Sequence, residues 1–226
     1  MQLSPVLKTA VWITALCLSA PGQTAPAKDT PVNESKGMPP RATPADYQAH
    51  AQVGTVTIAA EFTGHGIATS QGALITEDYV VVETGFFGAE GARTKLSAED
   101  FSLRVNGKKT PLTTQPFGLM AGSLKDPEWE PPIETKKSKS SMSTGGGGGG
   151  GGQGESNEPP TPPKMPFPVR RAMEQRVLKA TLPEGDRALP VAGLIFFQYR
   201  GKTKDIKSLE LIYGGPAGKA TLTLQP

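Results

Sequence analysis

The sequence predicts a mainly β protein: an antiparallel β-sandwich of about seven strands, with one or two short helices and a long disordered internal loop. Three observations predict it. Apolar and polar residues alternate with period two around Ile58, Leu103, Leu211 and Leu222, the pattern of strands with one buried face. Asn106-Gly107 is a strong two-residue hairpin signal. A glycine run over residues 145–152 divides two β-rich segments, and neither has enough strands to cover its own apolar face.

Taken in order, residues 1–27 read as an export signal. Lys8 is their only charge, residues 9–20 are apolar, and Ala25-Pro26-Ala27 fits the small-x-small cleavage pattern. The apolar run is too short to span a bilayer comfortably. An uncleaved signal would be the one membrane contact. Leu16 precedes Cys17 where a lipoprotein signal carries a small residue. Cleavage removes the single cysteine, which excludes disulfides, thiol catalysis and cysteine-bound metal from the mature chain. It also lowers the formal charge from +3 to +2, too mild a balance for a nucleic-acid partner. The expected location is periplasmic or secreted.

Residues 28–42 are rich in Pro, Lys, Asp and Ser and are expected to be a disordered lead. Thr43-Pro44-Ala45-Asp46 is a helix start, with Pro44 at the first helical position, and predicts a short helix to about Ala51. Residues 55–62 alternate as a strand that Gly64-His65-Gly66 ends. Residues 79–83 are apolar on both faces, as in an inner strand. Ser97-Ala98-Glu99-Asp100 predicts a single helical turn. A strand at 101–105 should return at 108–112. Val169, Met173, Val177 and Ala180 recur at helical spacing, and 183–186 read as a turn. Residues 191–199, the most apolar stretch of the mature chain, predict a central strand. The last two strands lie around 209–213 and 220–224.

Residues 131–168 hold a Lys/Ser block, the glycine run and a proline-rich exit, and cannot build a packed core. About four strands precede this stretch and three follow it. Together they reach the count of an immunoglobulin-like sandwich. Loop closure costs about 0.6 kcal/mol per doubling of length, so a ~40-residue insertion adds only roughly 1.5–2 kcal/mol over a short turn. The expectation is one domain, 43–226, interrupted by 131–168.

Leu96-Ser97-Ala98-Glu99-Asp100-Phe101-Ser102-Leu103 followed by Asn106-Gly107-Lys108 resembles a segment of telokin-like, immunoglobulin-fold domains of bacterial exported proteins. Residues 189–213 resemble their late strands. The resemblance covers about half the mature chain, and the whole resembles an uncharacterised family of exported bacterial proteins. It implies an immunoglobulin-like extracellular domain and supplies no catalytic residues.

The residues that carry chemistry are few. Tyr213-Gly214-Gly215-Pro216-Ala217-Gly218-Lys219-Ala220 is not a phosphate loop. Tyr213 stands where its first glycine belongs, Ala220 replaces its hydroxyl, and no helix follows. It reads as a tight turn between strands. His50 and His65 are the only histidines, too few for a structural zinc site without cysteine. Asp126, Glu128 and Glu130 alternate around Trp129, so an extended segment would align three carboxylates for calcium. Trp129 is a candidate for stacking on a sugar ring. No Gly-x-Ser-x-Gly elbow is present. Glu77-Asp78 and Glu99-Asp100 are adjacent and would point to opposite faces of a strand, unlike a glycosidase pair. Arg200, Lys202, Lys204 and Lys207, with Arg170 and Arg171, offer positive charge to an anionic envelope polymer. The expected function is non-catalytic binding or scaffolding in the cell envelope, with an envelope protein or polysaccharide as partner. No cofactor is expected. Glycan or calcium binding at Asp126–Glu130 is the alternative class, and an unrecognised hydrolase the third.

Overall fold

The computed structural model describes residues 36–69, 71–130 and 165–226. They form strands β1 (Ala49–Val53), β2 (Val56–Gly64), β3 (Gly66–Thr69), β4 (Gly72–Thr76), β5 (Tyr79–Phe87), β6 (Arg93–Leu96), β7 (Phe101–Val105) and β8 (Leu112–Gln115). A short helix α1 (Phe117–Met120) and strand β9 (Leu124–Lys125) follow. Then come helix α2 (Phe167–Ala180) and strands β10 (Gly185–Ala188), β11 (Val191–Gln198), β12 (Leu209–Gly215) and β13 (Gly218–Leu224). The expected export signal and most of the 131–168 stretch lie outside the described residues.

Strand β5 is the axis of the structure. Its residues are buried from Tyr79 to Phe86 because it is apolar on both faces, and each face finds its own cover. It pairs with β2 on one side and β11 on the other. The large sheet runs β1-β2-β5-β11-β8-β7-β12-β13, antiparallel at each pairing. Its edge strands β1 and β13 lie against one another without pairing, so the sheet is a nearly closed barrel. Ile58, Val82, Phe86, Phe101, Leu211 and Tyr213 fill its inside. Phe101 and Tyr213 rings lie 5.1 Å apart, and each meets Phe86 at 5.9–6.0 Å in an edge-to-face arrangement.

The outer face of β5 and β11 carries Val81, Leu194 and Phe196. Helix α2 covers it with Met173, Val177 and Ala180, and the three-stranded sheet β3-β4-β9 adds Ile67, Leu74 and Leu124. Gly193 makes the close approach here. A Cβ at this position would overlap the Leu182 backbone, which lies on β11 with its N–H donating to the Leu194 carbonyl at 3.0 Å.

The mainly β, antiparallel expectation is met, with β5 and β11 as inner strands. Several details differ. The big sheet curls towards a barrel, where two stacked sheets were expected. The first helix stops after one turn (Pro44–Asp46), although the Asp46 carboxylate accepts the Thr43 N–H at 2.8 Å as the motif implies. Residues 49–53 are instead drawn into the ladder with β2, where tertiary pairing outweighs helix propensity. The return strand after Asn106-Gly107 begins at Leu112, past Pro111, which has no N–H to give a ladder. Residues 185–188 pair with β6, although 185 and 186 were expected in a turn over 183–186. Residues 36–42 are not a free lead. The Met38 N–H donates to Ala192 at 2.8 Å, which lays this strap on β11. Pro166 and Pro168 belong to the start of α2, where proline is well placed.

Candidate functional site

Helix α2 forms because Met173, Val177 and Ala180 recur at three- and four-residue intervals and bury on the β5–β11 face. The adjacent stripe, Ala172, Arg176 and Lys179, turns away from that core. The β3–β4 hairpin stands beside it, with Ile67 and Leu74 pointing inward. The strap at Met38 lies across the end. These three segments enclose a groove of about 650 Å³, lined among others by Met38, Ala68, Gln71, Ala172, Arg176 and Lys179. The Arg176 guanidinium donates to the Gln71 carbonyl at 3.1 Å and stands 3.9 Å from Asp126. Among the described residues no carboxylate lines the groove.

Arg41 fixes the strap. Its guanidinium donates to Glu83 at 3.0 and 3.3 Å and to the Asp46 carbonyl at 2.6 Å, and it pairs with Glu61. It also lies 4.6 Å over the Tyr47 ring. Burial works against the Arg41 charge, but the hydrogen bonds to Glu83 and Glu61 outweigh it and hold its pKa above the usual arginine range. Burial pushes the Tyr47 and Tyr213 phenols up, and likewise the Asp100 carboxyl, against the pull of Lys95. Arg41 acts with Tyr47, and Asp100 with Tyr213, and none of the four lines the groove. A second cavity of about 420 Å³ opens between β8 and the Leu182 segment.

The residues singled out from sequence scatter. Asp126 Oδ1 accepts the Glu128 N–H at 3.0 Å, and the Asp126 carbonyl accepts the Trp129 N–H at 3.2 Å. That turn breaks the extended alternation that would have aligned Asp126, Glu128 and Glu130. Among the described residues, no three His, Cys, Asp or Glu side chains gather where they could hold a metal ion. Trp129 is half-buried at the same turn. His65 has its two ring nitrogens facing main-chain carbonyls, Tyr79 at 2.7 Å and Gly201 at 2.9 Å; a neutral ring carries one N–H and donates it to one of them. His50 is exposed on β1. Tyr213 to Ala220 is the β12–β13 hairpin. In the basic connection, Arg200 pairs with Asp78 at 3.2 Å, while Arg170 pairs with Glu174 at 3.6 Å.

Sequence reasoning missed the groove and the Arg41 cluster. The groove had one faint signal: α2 places small and cationic residues next to its apolar stripe. Arg41 had none, because its partners lie 20 and 42 positions away. No helix among the described residues is long and apolar enough to cross a membrane. Comparison with protein-family models, with curated proteins and with solved structures found no match.

Proposed function

We propose that the chain is a non-catalytic, exported binding or scaffolding protein of the cell envelope that engages its partner through the groove between β3 and α2. The observation that carries this reading is the groove itself, open, floored by small and apolar side chains and edged by cations. Export rests on the pattern of residues 1–27, with Lys8 before the apolar run and Ala25-Pro26-Ala27 after it. The resemblance of the 96–108 segment to telokin-like, immunoglobulin-fold domains supports an extracellular role and a single domain over 43–226. A serine nucleophile would have to displace one of the main-chain carbonyls that face both His65 nitrogens to use the ring as a base.

The test is a pull-down from the protein's own envelope with the mature chain and with Ala172→Trp, which fills the groove from an exposed helix position. Capture by the wild type and loss with the filled groove is the expected result. Equal capture by both removes the groove from the function. Turnover of ester or glycoside substrates that disappears in His65→Ala would overturn the non-catalytic reading.

A further inference from the structure

Among the described residues strand β3 is the edge of its sheet and pairs with β4 alone. The phase of that pairing decides what its free edge offers. The Thr76 N–H donates to the His65 carbonyl at 3.0 Å. His65 and Thr76 therefore form a hydrogen-bonded pair, one step beyond Gly66↔Ile75 in the register. Bonded and non-bonded pairs alternate along an antiparallel ladder. Ile67 and Thr69 thus bond to β4, while Gly66 and Ala68 direct their main-chain groups to the other side. The Gly66 carbonyl there accepts the Thr63 hydroxyl at 2.9 Å. Ala68 lies in the groove, exposed, and its N–H and C=O meet no partner among the described residues.

The opposite wall is α2. From Ala172 to Lys179 the helix advances about 10 Å, the length of about three extended residues. Arg176 and Lys179 stand on this wall, and Lys179 is exposed with no partner among the described residues. Met38, Ala172 and Ala180 supply an apolar floor. A free strand edge facing a helix along a groove about 10 Å long has the geometry for adding one short strand of a partner. Its positive wall selects for negative charge.

We propose, building on the binding reading above, that the groove takes an extended acidic segment of a partner protein as an added strand on β3. The residue opposite Ala68 exchanges two main-chain hydrogen bonds with it. A carboxylate side chain on the segment faces Lys179, next to Arg176, which the Gln71 carbonyl and Asp126 already hold in place. An apolar side chain two positions along, on the same face of the strand, rests on Met38 and Ala172.

The experiment selects displayed random nonapeptides on the mature protein and titrates an enriched sequence, made as a synthetic peptide, against defined variants. Enrichment of an acidic residue spaced two from an apolar one is expected. Ala68→Pro deletes the outward N–H without breaking a bond to β4, since Ala68 does not bond to β4, and should weaken the peptide at least tenfold. Ala68→Val keeps that N–H and should bind like the wild type. Lys179→Glu should weaken the acidic peptide at least tenfold and admit a basic one. Unchanged melting temperatures show that the variants remain folded. Failure to enrich any peptide, enrichment of basic peptides, or equal affinity of Ala68→Pro and Ala68→Val would each overturn strand addition. If Ala172→Trp loses the envelope partner while Ala68→Pro keeps it, groove binding stands and strand addition falls. If neither variant loses it, both readings fall.

Discussion

Glu61 and Glu83 are direct partners across the β2–β5 ladder, and the Arg41 guanidinium bonds to both. Like charges placed opposite one another on a sheet are destabilising, and Glu83 is only 8% exposed. The cation that offsets them comes from the strap, outside the sheet.

Arg41→Met should therefore cost about 2 kcal/mol. That is below the 3–5 kcal/mol typical of breaking a fully buried pair, because Arg41 keeps 32% of its side chain exposed. Adding Glu83→Gln to this variant should recover part of the loss. Urea denaturation midpoints measure both effects, and a midpoint unchanged by Arg41→Met would show that the cluster adds no stability.

The fold is pH-sensitive at Asp100. Burial raises its carboxyl pKa in the folded chain, so the folded state holds that proton more tightly than the unfolded one. The resulting stabilisation is fully present below the unfolded pKa and is lost as pH rises through the folded value. Asp100→Asn should consequently raise the melting temperature at pH 7 and leave it nearly unchanged at pH 3. A gain of equal size at both pH values would point to some other cause.

Gly193 marks where the Leu182 backbone rests on β11. Alanine there already overlaps this backbone, and valine adds two further methyl groups. We expect Gly193→Val to lose about 3 kcal/mol or more by overpacking. A melting curve superimposable on the wild type would contradict the close approach.

His65 joins the start of β5 to the segment after β11 through two carbonyls. His65→Ala removes the ring donor from between these carbonyls in a half-buried site and should cost about 1–3 kcal/mol. Faster amide exchange near Gly201 would accompany the loss. A cost confined to the noise of the measurement would mean that solvent replaces the ring fully.

What was legible in the sequence was local. Val56 to Phe62, Phe101 to Val105 and Leu209 to Tyr213 announce themselves by alternation, and Asn106 and Gly107 do adopt positive φ at their turn. The double-sided burial of β5 followed from its unbroken apolar run. The curl of the sheet was not legible, because the same alternation serves a sandwich and a barrel. The choice between them lies in where β1 and β13 meet. Strands β3, β6 and β10 are short, and Gly66, Arg93 and Gly185 give them little β propensity. They exist because neighbours pair with them. The groove was hidden for a related reason: Ala68, Ala172 and Met38 are ordinary residues until three distant segments are brought together.

The pairing of β5 with β11 also constrains how the chain reaches its native state. The Thr84 hydroxyl donates to the Gly193 carbonyl across 109 positions of sequence, and the neighbouring ladder spans similar distances. Proteins dominated by such distant pairings fold slowly, in milliseconds to seconds. A ribosome extends the chain at about 5–20 residues per second, so β5 waits several seconds before β11 exists. During that interval Val80, Val81 and Val82 have no partner strand to bury them on that side. For a chain exported as proposed above, that delay keeps it unfolded for passage through a narrow translocation pore.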